Sequence, residues 1–164
     1  MHTENTVYIQ GPKARIFELA CSTQNWPTIL PHYRRVDVLE QSEDGLRKVV
    51  EMAAVRDGFL RPGVKFPVQW RSVQICEPRQ GRILFKHIGG IATGMWVVWT
   101  LEDDPWGRGV RVTIGHDLTY PFDFLNGWFA RDVVGEGFVH AIAGRTLQTI
   151  KQLVENETRL MRAQ

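Results

Sequence analysis

Apolar and polar residues alternate with a period of two through most of this chain, and a period near 3.6 replaces it towards the end. The longest alternating stretch sets Val64, Phe66, Val68, Trp70, Ser72, Gln74 and Cys76 against Lys65, Pro67, Gln69, Arg71, Val73 and Ile75. The first set is predicted to face a covered interior. Strand patterns fall at residues 6–10, 35–41, 46–56, 64–77, 82–88, 94–102 and 109–120, seven in all. Turn residues separate them, among them Glu43-Asp44-Gly45, Pro78-Arg79-Gln80-Gly81 and Asp103-Asp104-Pro105-Trp106-Gly107. These supply a preset φ or tolerate a positive one, and connections this short predict antiparallel neighbours. In the last strand Val110, Val112, Ile114, His116, Leu118 and Tyr120 share the covered face. The run Met95-Trp96-Val97-Val98-Trp99 is apolar on both faces, so alternation alone leaves open whether Trp96 or Trp99 points inward.

Two helical patterns frame the strands. Gly11 closes the first strand and Pro12 opens a helix through Ile16, Phe17, Leu19 and Ala20. From residue 138 onward Val139, Ala143, Thr146, Ile150, Leu153, Val154 and Met161 fall on one face of a long amphipathic helix, with Gly144, Gln148, Lys151, Glu155 and Arg159 opposite. In between, Asn25-Trp26-Pro27-Thr28-Ile29-Leu30-Pro31-His32-Tyr33 carries two prolines that forbid one continuous helix. The predicted result is a pair of short turns that bends Trp26 and Tyr33 back over the end of the interior as a rim. A second aromatic stretch, residues 120–137, reads as a connector or lid over the interior, with transient contact to a membrane surface as the alternative use. The fold class predicted is α+β: a curved antiparallel sheet wrapped on one long helix, with a cavity left between them. Residues 1–164 read as one domain.

Composition narrows the function. Six Trp and eight Phe exceed what core filling needs, while a net charge of +2 with scattered basic pairs forms no stripe for a phosphate backbone, so nucleic acid is excluded. No H-x-x-x-H or C-x-x-C spacing, P-loop, G-x-G-x-x-G or G-x-S-x-G occurs, and neither metal nor cofactor is expected. Cys21 and Cys76 sit in apolar patterns and read as buried reduced thiols, which suits the cytoplasm. The first residues carry no basic and apolar leader pattern, and the longest apolar run, Met95 to Trp99, is far too short to span a bilayer. Ser72, Gln74, His116 and Tyr120, placed on an apolar face, need partners, water or a ligand. The reading of His116 is a histidine bonded within the sheet rather than a general base; His32, His87 and His140 are expected to be solvated or partly covered.

The order of elements, with Gln10-Gly11-Pro12, Trp26-Pro27 followed by Tyr33, Trp70-Arg71-Ser72, Gly94-Met95-Trp96 and Val112 to Leu118 with His116-Asp117, resembles the helix-grip proteins of the START (SRPBCC) superfamily. The likeness is to their polyketide cyclase/dehydrase branch and extends over about residues 5–155. The resemblance implies a cavity lined by Trp26, Tyr33, Phe66, Trp70, Ser72 and Trp96, with Trp96 as the inward tryptophan; Tyr120 and Ile150, on covered faces, complete the expected ligand contacts. It implies a hydrophobic guest (polyketide, quinone or lipid) and, as an activity, intramolecular aldol cyclisation and dehydration of a polyketide. Tyr33, Ser72, Gln74 and His116 would then donate to carbonyl oxygens or relay protons. Gln74 stands where the cyclases usually carry an arginine, and an amide lacks the fixed positive charge that favours an enolate. A non-catalytic carrier of a lipid or quinone, similar to coenzyme Q-binding proteins, and an interaction module with a self-filled cavity stay open beside the enzyme.

Overall fold

The structure is a computed structural model that describes residues 2–57, 65–90, 92–118 and 141–163. Seven strands form one antiparallel sheet: β1 (His2–Ile9), β2 (Tyr33–Gln41), β3 (Arg47–Asp57), β4 (Lys65–Glu77), β5 (Arg82–Gly90), β6 (Trp96–Asp103) and β7 (Val110–Asp117). The spatial order is β1-β7-β6-β5-β4-β3-β2, so from β2 to β7 each strand pairs antiparallel with the next along the chain, and β1 pairs with the last strand. Helix α1 (Lys13–Cys21), a single 3-10 turn and α2 (Trp26–Ile29) fill the connection from β1 to β2, and α3 (Ala141–Arg162) ends the chain. This is the helix-grip arrangement.

Close approach explains the Gln10-Gly11-Pro12 corner. A Cβ on Gly11 would lie 2.3 Å from Val154 Cγ1, so only glycine lets β1 turn into α1 directly against α3. Pro12 then starts α1, its carbonyl accepting from Arg15 and Ile16 N–H at 3.0 and 3.2 Å. The polar face of α3 grips the same corner: Glu155 accepts from Gln10 N–H at 3.0 Å, and Arg15 holds Glu157 at 2.8 Å. Ile142, Ala143, Thr146, Leu147, Ile150 and Val154 bury the opposite face. Met161, expected on that face, is 70% exposed, and its neighbour Leu160 is 67% exposed.

One covalent link contradicts the sequence reading. Cys21 and Cys76 are joined as a disulfide, with Cα atoms 6.3 Å apart across a separation of 55 residues. No local spacing signals this pairing; packing of α1 over the sheet brings its last residue onto the inner face of β4. With the link formed, reduced thiols no longer argue for the cytoplasm. Among the described residues no helix is long and apolar enough to cross a membrane.

Candidate functional site

The sheet, α2 and α3 border a partly open cavity of about 60 Å³ whose wall includes Trp26, Tyr33, Trp70, Phe85, Trp99 and Thr146. It offers room for a few waters, against roughly 300 to 1,000 Å³ for ordinary small-molecule pockets. Pro27 sits in the first turn of α2, where its missing N–H costs nothing, and Trp26 N-terminal to it turns inward. The indole N–H donates to Leu19 O at 3.0 Å. Its ring meets Tyr33 edge-on at 4.8 Å and Trp99 at 6.1 Å between centroids. At 3% and 6% exposure Trp26 and Tyr33 form inner wall and not a rim, which corrects the sequence expectation. The prolines do break the segment, but the bend drives both rings under α3.

Thr146 ties this wall to the helix. Its hydroxyl donates to Ile142 O at 2.8 Å, so its lone pairs are left to accept from His32 Nε2 at 2.9 Å and to meet the Tyr33 hydroxyl. Burial raises the Tyr33 phenol well above its usual range. His32 is neutral, its pKa pushed down to about 4 by burial and by the nearby Arg145 charge. His87 is likewise held down to about 4 by burial and then by Lys86, and its Nδ1 lies 2.6 Å from Ser72 Oγ. Both were expected to be solvated or partly covered, yet both are buried, and His87 lines the cavity with His116. Alternation could have revealed His87: Ile83, Phe85 and His87 share the face opposite Arg82 and Lys86. His32, between Pro31 and Tyr33, carries no such signal. His140 lies outside the described residues.

The expected site residues separate into groups. Trp26, Tyr33, Trp70 and His116 lie on the cavity wall, with Ser72 fully buried behind His87. Ile150 is buried on the inner face of α3 and is not among the residues that line the cavity. Phe66 belongs to β4 by its backbone, but its side chain, like all of Tyr120 and the 120–137 connector, lies outside the described residues. Trp96 is a correction. It stands 45% exposed on the outer face of β6, with Lys86 Nζ 4.5 Å from its ring centroid, and Trp99 is the inward tryptophan at 3% exposure. Register decides the matter: Trp99 pairs with Ile83 and Ile114 on the inner face, whereas Trp96 pairs with Lys86 and Asp117. Reading on to Leu101 and Glu102 exposes the alternation that the apolar run conceals.

Gln74 does not reach the cavity. Its Oε1 accepts from Thr23 Oγ1 at 2.8 Å and its Nε2 donates to Cys21 O at 2.8 Å, so the amide latches the end of α1 onto β4 beside the disulfide. Lys48 adds a second tie, donating to Gln24 Oε1 at 3.0 Å. Replacing Gln74 with Ala is expected to cost about 2 kcal/mol, because the buried Thr23 hydroxyl loses its acceptor and Cys21 O keeps only the long bond from Lys48. Urea unfolding of the variant checks this; a change below about 0.5 kcal/mol would mean that water replaces the amide. Among the described residues no group of three or more His, Cys, Asp or Glu side chains could hold a metal ion.

Known structures reproduce this architecture. A protein from Thermus thermophilus superposes with a TM-score of 0.73 at 18% identity, covering 94% of this chain and 97% of its own. The Zhui aromatase/cyclase from Streptomyces sp. R1128 gives a TM-score of 0.77 at 17% identity, with 96% and 95% covered. A START superfamily protein from Mycobacterium smegmatis gives 0.63 at 12% identity, with 98% of both chains covered. Identities this low establish the shared fold and nothing finer. No curated protein sequence matches the chain. The model of the polyketide cyclase / dehydrase and lipid transport family matches residues 9–142, and this chain belongs to that family.

Proposed function

We propose that the protein binds a hydrophobic small molecule of the polyketide or quinone kind in the cavity between the sheet and α3. The observation that carries this reading is the wall itself: Trp26, Tyr33, Trp70, Phe85 and Trp99 meet there with the neutral imidazole of His87, and no Asp, Glu, Lys or Arg side chain lines the cavity among the described residues. Such a lining grips a flat conjugated body through its faces and edges and leaves a few polar atoms for oxygens. A volume of about 60 Å³ is below what a single ring needs, so the guest enters by displacing wall side chains, and binding is accompanied by a change in tryptophan environment.

Two activities suit this cavity. Cyclisation with dehydration would use confinement, with Tyr33, Ser72 and His116 donating or relaying protons as the family resemblance implies. Carriage without chemistry is the reading the side chains favour: Gln74 is consumed by structural bonds, and the cavity-lining imidazole of His87, with a pKa of about 4, is a weak base at neutral pH. Native mass spectrometry of the freshly isolated protein is expected to find a retained small molecule, and 1,4-naphthoquinone is expected to quench tryptophan fluorescence saturably. The absence of both retention and saturable quenching would sink the binding reading; turnover of a linear poly-β-ketone to a cyclised product would replace carriage with catalysis.

A further inference from the structure

We infer that Ser72 locks His87 in the tautomer that carries its proton on Nε2, so that the cavity presents an N–H donor beside Trp70 and selects guests with an acceptor oxygen there. The ligand half of this inference rests on the cavity-binding reading; the tautomer half does not. The pairing is built into the sheet. Arg71 pairs with Gly89 but Ser72 pairs with His87, so a bulge at Ile88 slips the register and sets the serine directly across from the imidazole on the inner face. Gly90 follows with φ +90°, where a Cβ would lie 2.4 Å from Gln69 O, so the strands close tightly beside the bulge. The backbone of His87 is held on both sides, its N–H donating to Met95 O and its carbonyl accepting from Gly94, each at 2.9 Å. Its ring packs at 6.1 Å from Trp70.

The direction of the 2.6 Å bond follows from counting protons. Ser72 is fully buried, and His87 Nδ1 is the sole acceptor for its hydroxyl hydrogen among the described residues. If Nδ1 carried the proton and donated to the serine, that hydroxyl hydrogen would be buried with no acceptor, at a penalty that normally decides such choices. The serine therefore donates, Nδ1 accepts, and the proton of the neutral ring sits on Nε2. Nε2 has no protein partner among the described residues, and the ring lines the cavity. A ketone or quinone oxygen satisfies that donor, whereas a pure hydrocarbon leaves it unpaired on losing its water. Ser72 is thus a positioning residue, acting on the guest through His87.

The test has two parts. In protein labelled with 15N-histidine, two-bond proton–nitrogen correlation spectra at neutral pH are expected to show His87 protonated on Nε2 alone, with its signals assigned by their loss in His87→Gln. Ser72→Ala is expected to release the ring into a mixture of tautomers, and Ser72→Thr to restore the single form. A wild-type His87 protonated on Nδ1, or already mixed, overturns the inference whatever the Ser72 variants show. For selectivity, 1-indanone and indane, equal in shape, are titrated by tryptophan fluorescence. Wild type is expected to favour the ketone about fivefold, and Ser72→Ala to bring the ratio close to one. Equal binding of the two by wild type overturns the selectivity. Binding of neither refutes the cavity-binding reading and the ligand half with it, while the spectrum of the free protein still decides the tautomer.

Discussion

Reduction of the Cys21–Cys76 disulfide is expected to lower the free energy of unfolding by about 4 kcal/mol, the loss of stability that the chain-entropy model assigns to releasing a loop of this length. The two cysteines are 55 residues apart, so the intact link removes many conformations from the unfolded chain. The native state should survive reduction. Gln74 and Lys48 still bind Cys21 O, Thr23 and Gln24, and they keep the end of α1 over β4. The effect therefore resides in the unfolded ensemble and leaves far-ultraviolet circular dichroism unchanged. Urea unfolding with and without dithiothreitol, with alkylation of freed thiols read by mass, measures it. Coincident midpoints in fully reduced and fully oxidised protein would show that the link contributes nothing.

Acid is expected to cost several kcal/mol as the pH falls from about 6.5 towards 4. His32 and His87 have folded pKa values of about 4, whereas an unfolded imidazole titrates near 6.5. Between those limits the unfolded state binds more protons than the folded one, so stability is fully present above about pH 6.5 and falls as the pH drops towards 4. Below that, both states are protonated at these sites and the loss levels off. Each imidazole contributes on the order of 3 kcal/mol at the acid end. Asp104, held at about 2 by the guanidinium of Arg108, adds its loss only at lower pH. His2, raised by Asp117, pulls the other way but is exposed and solvent-screened. Urea midpoints at pH 7.5, 5.5 and 4.5 check the prediction; a flat profile across that range would mean that both rings gain protons without leaving the fold.

Much of the frame was legible in the chain. The strand segments and their antiparallel order came from alternation and turn residues, with boundaries differing by a few residues; β1 begins at His2 instead of residue 6 because pairing with β7 extends through His2 to Asp117. The break imposed by Pro27 and Pro31 was equally local. Harder was anything that depends on what lies across the interior. Gln74 looked like a donor for a guest because it shares a face with Trp70, yet a side chain reaches only its nearest neighbours, and those proved to be Thr23 and Cys21. His32 gave no pattern at all, and its burial follows from Thr146, 114 residues away.

By itself, then, the amino-acid order determined the antiparallel sheet, the terminal helix and the inward set on each alternating strand, since φ preferences and side-chain periodicity are properties of adjacent residues. Tertiary structure alone decided the cysteine link, the structural use of Gln74, the neutral imidazoles and the size of the chamber. Those depend on register, distance and exclusion of water between segments far apart in the chain, and such quantities exist only once the segments have met.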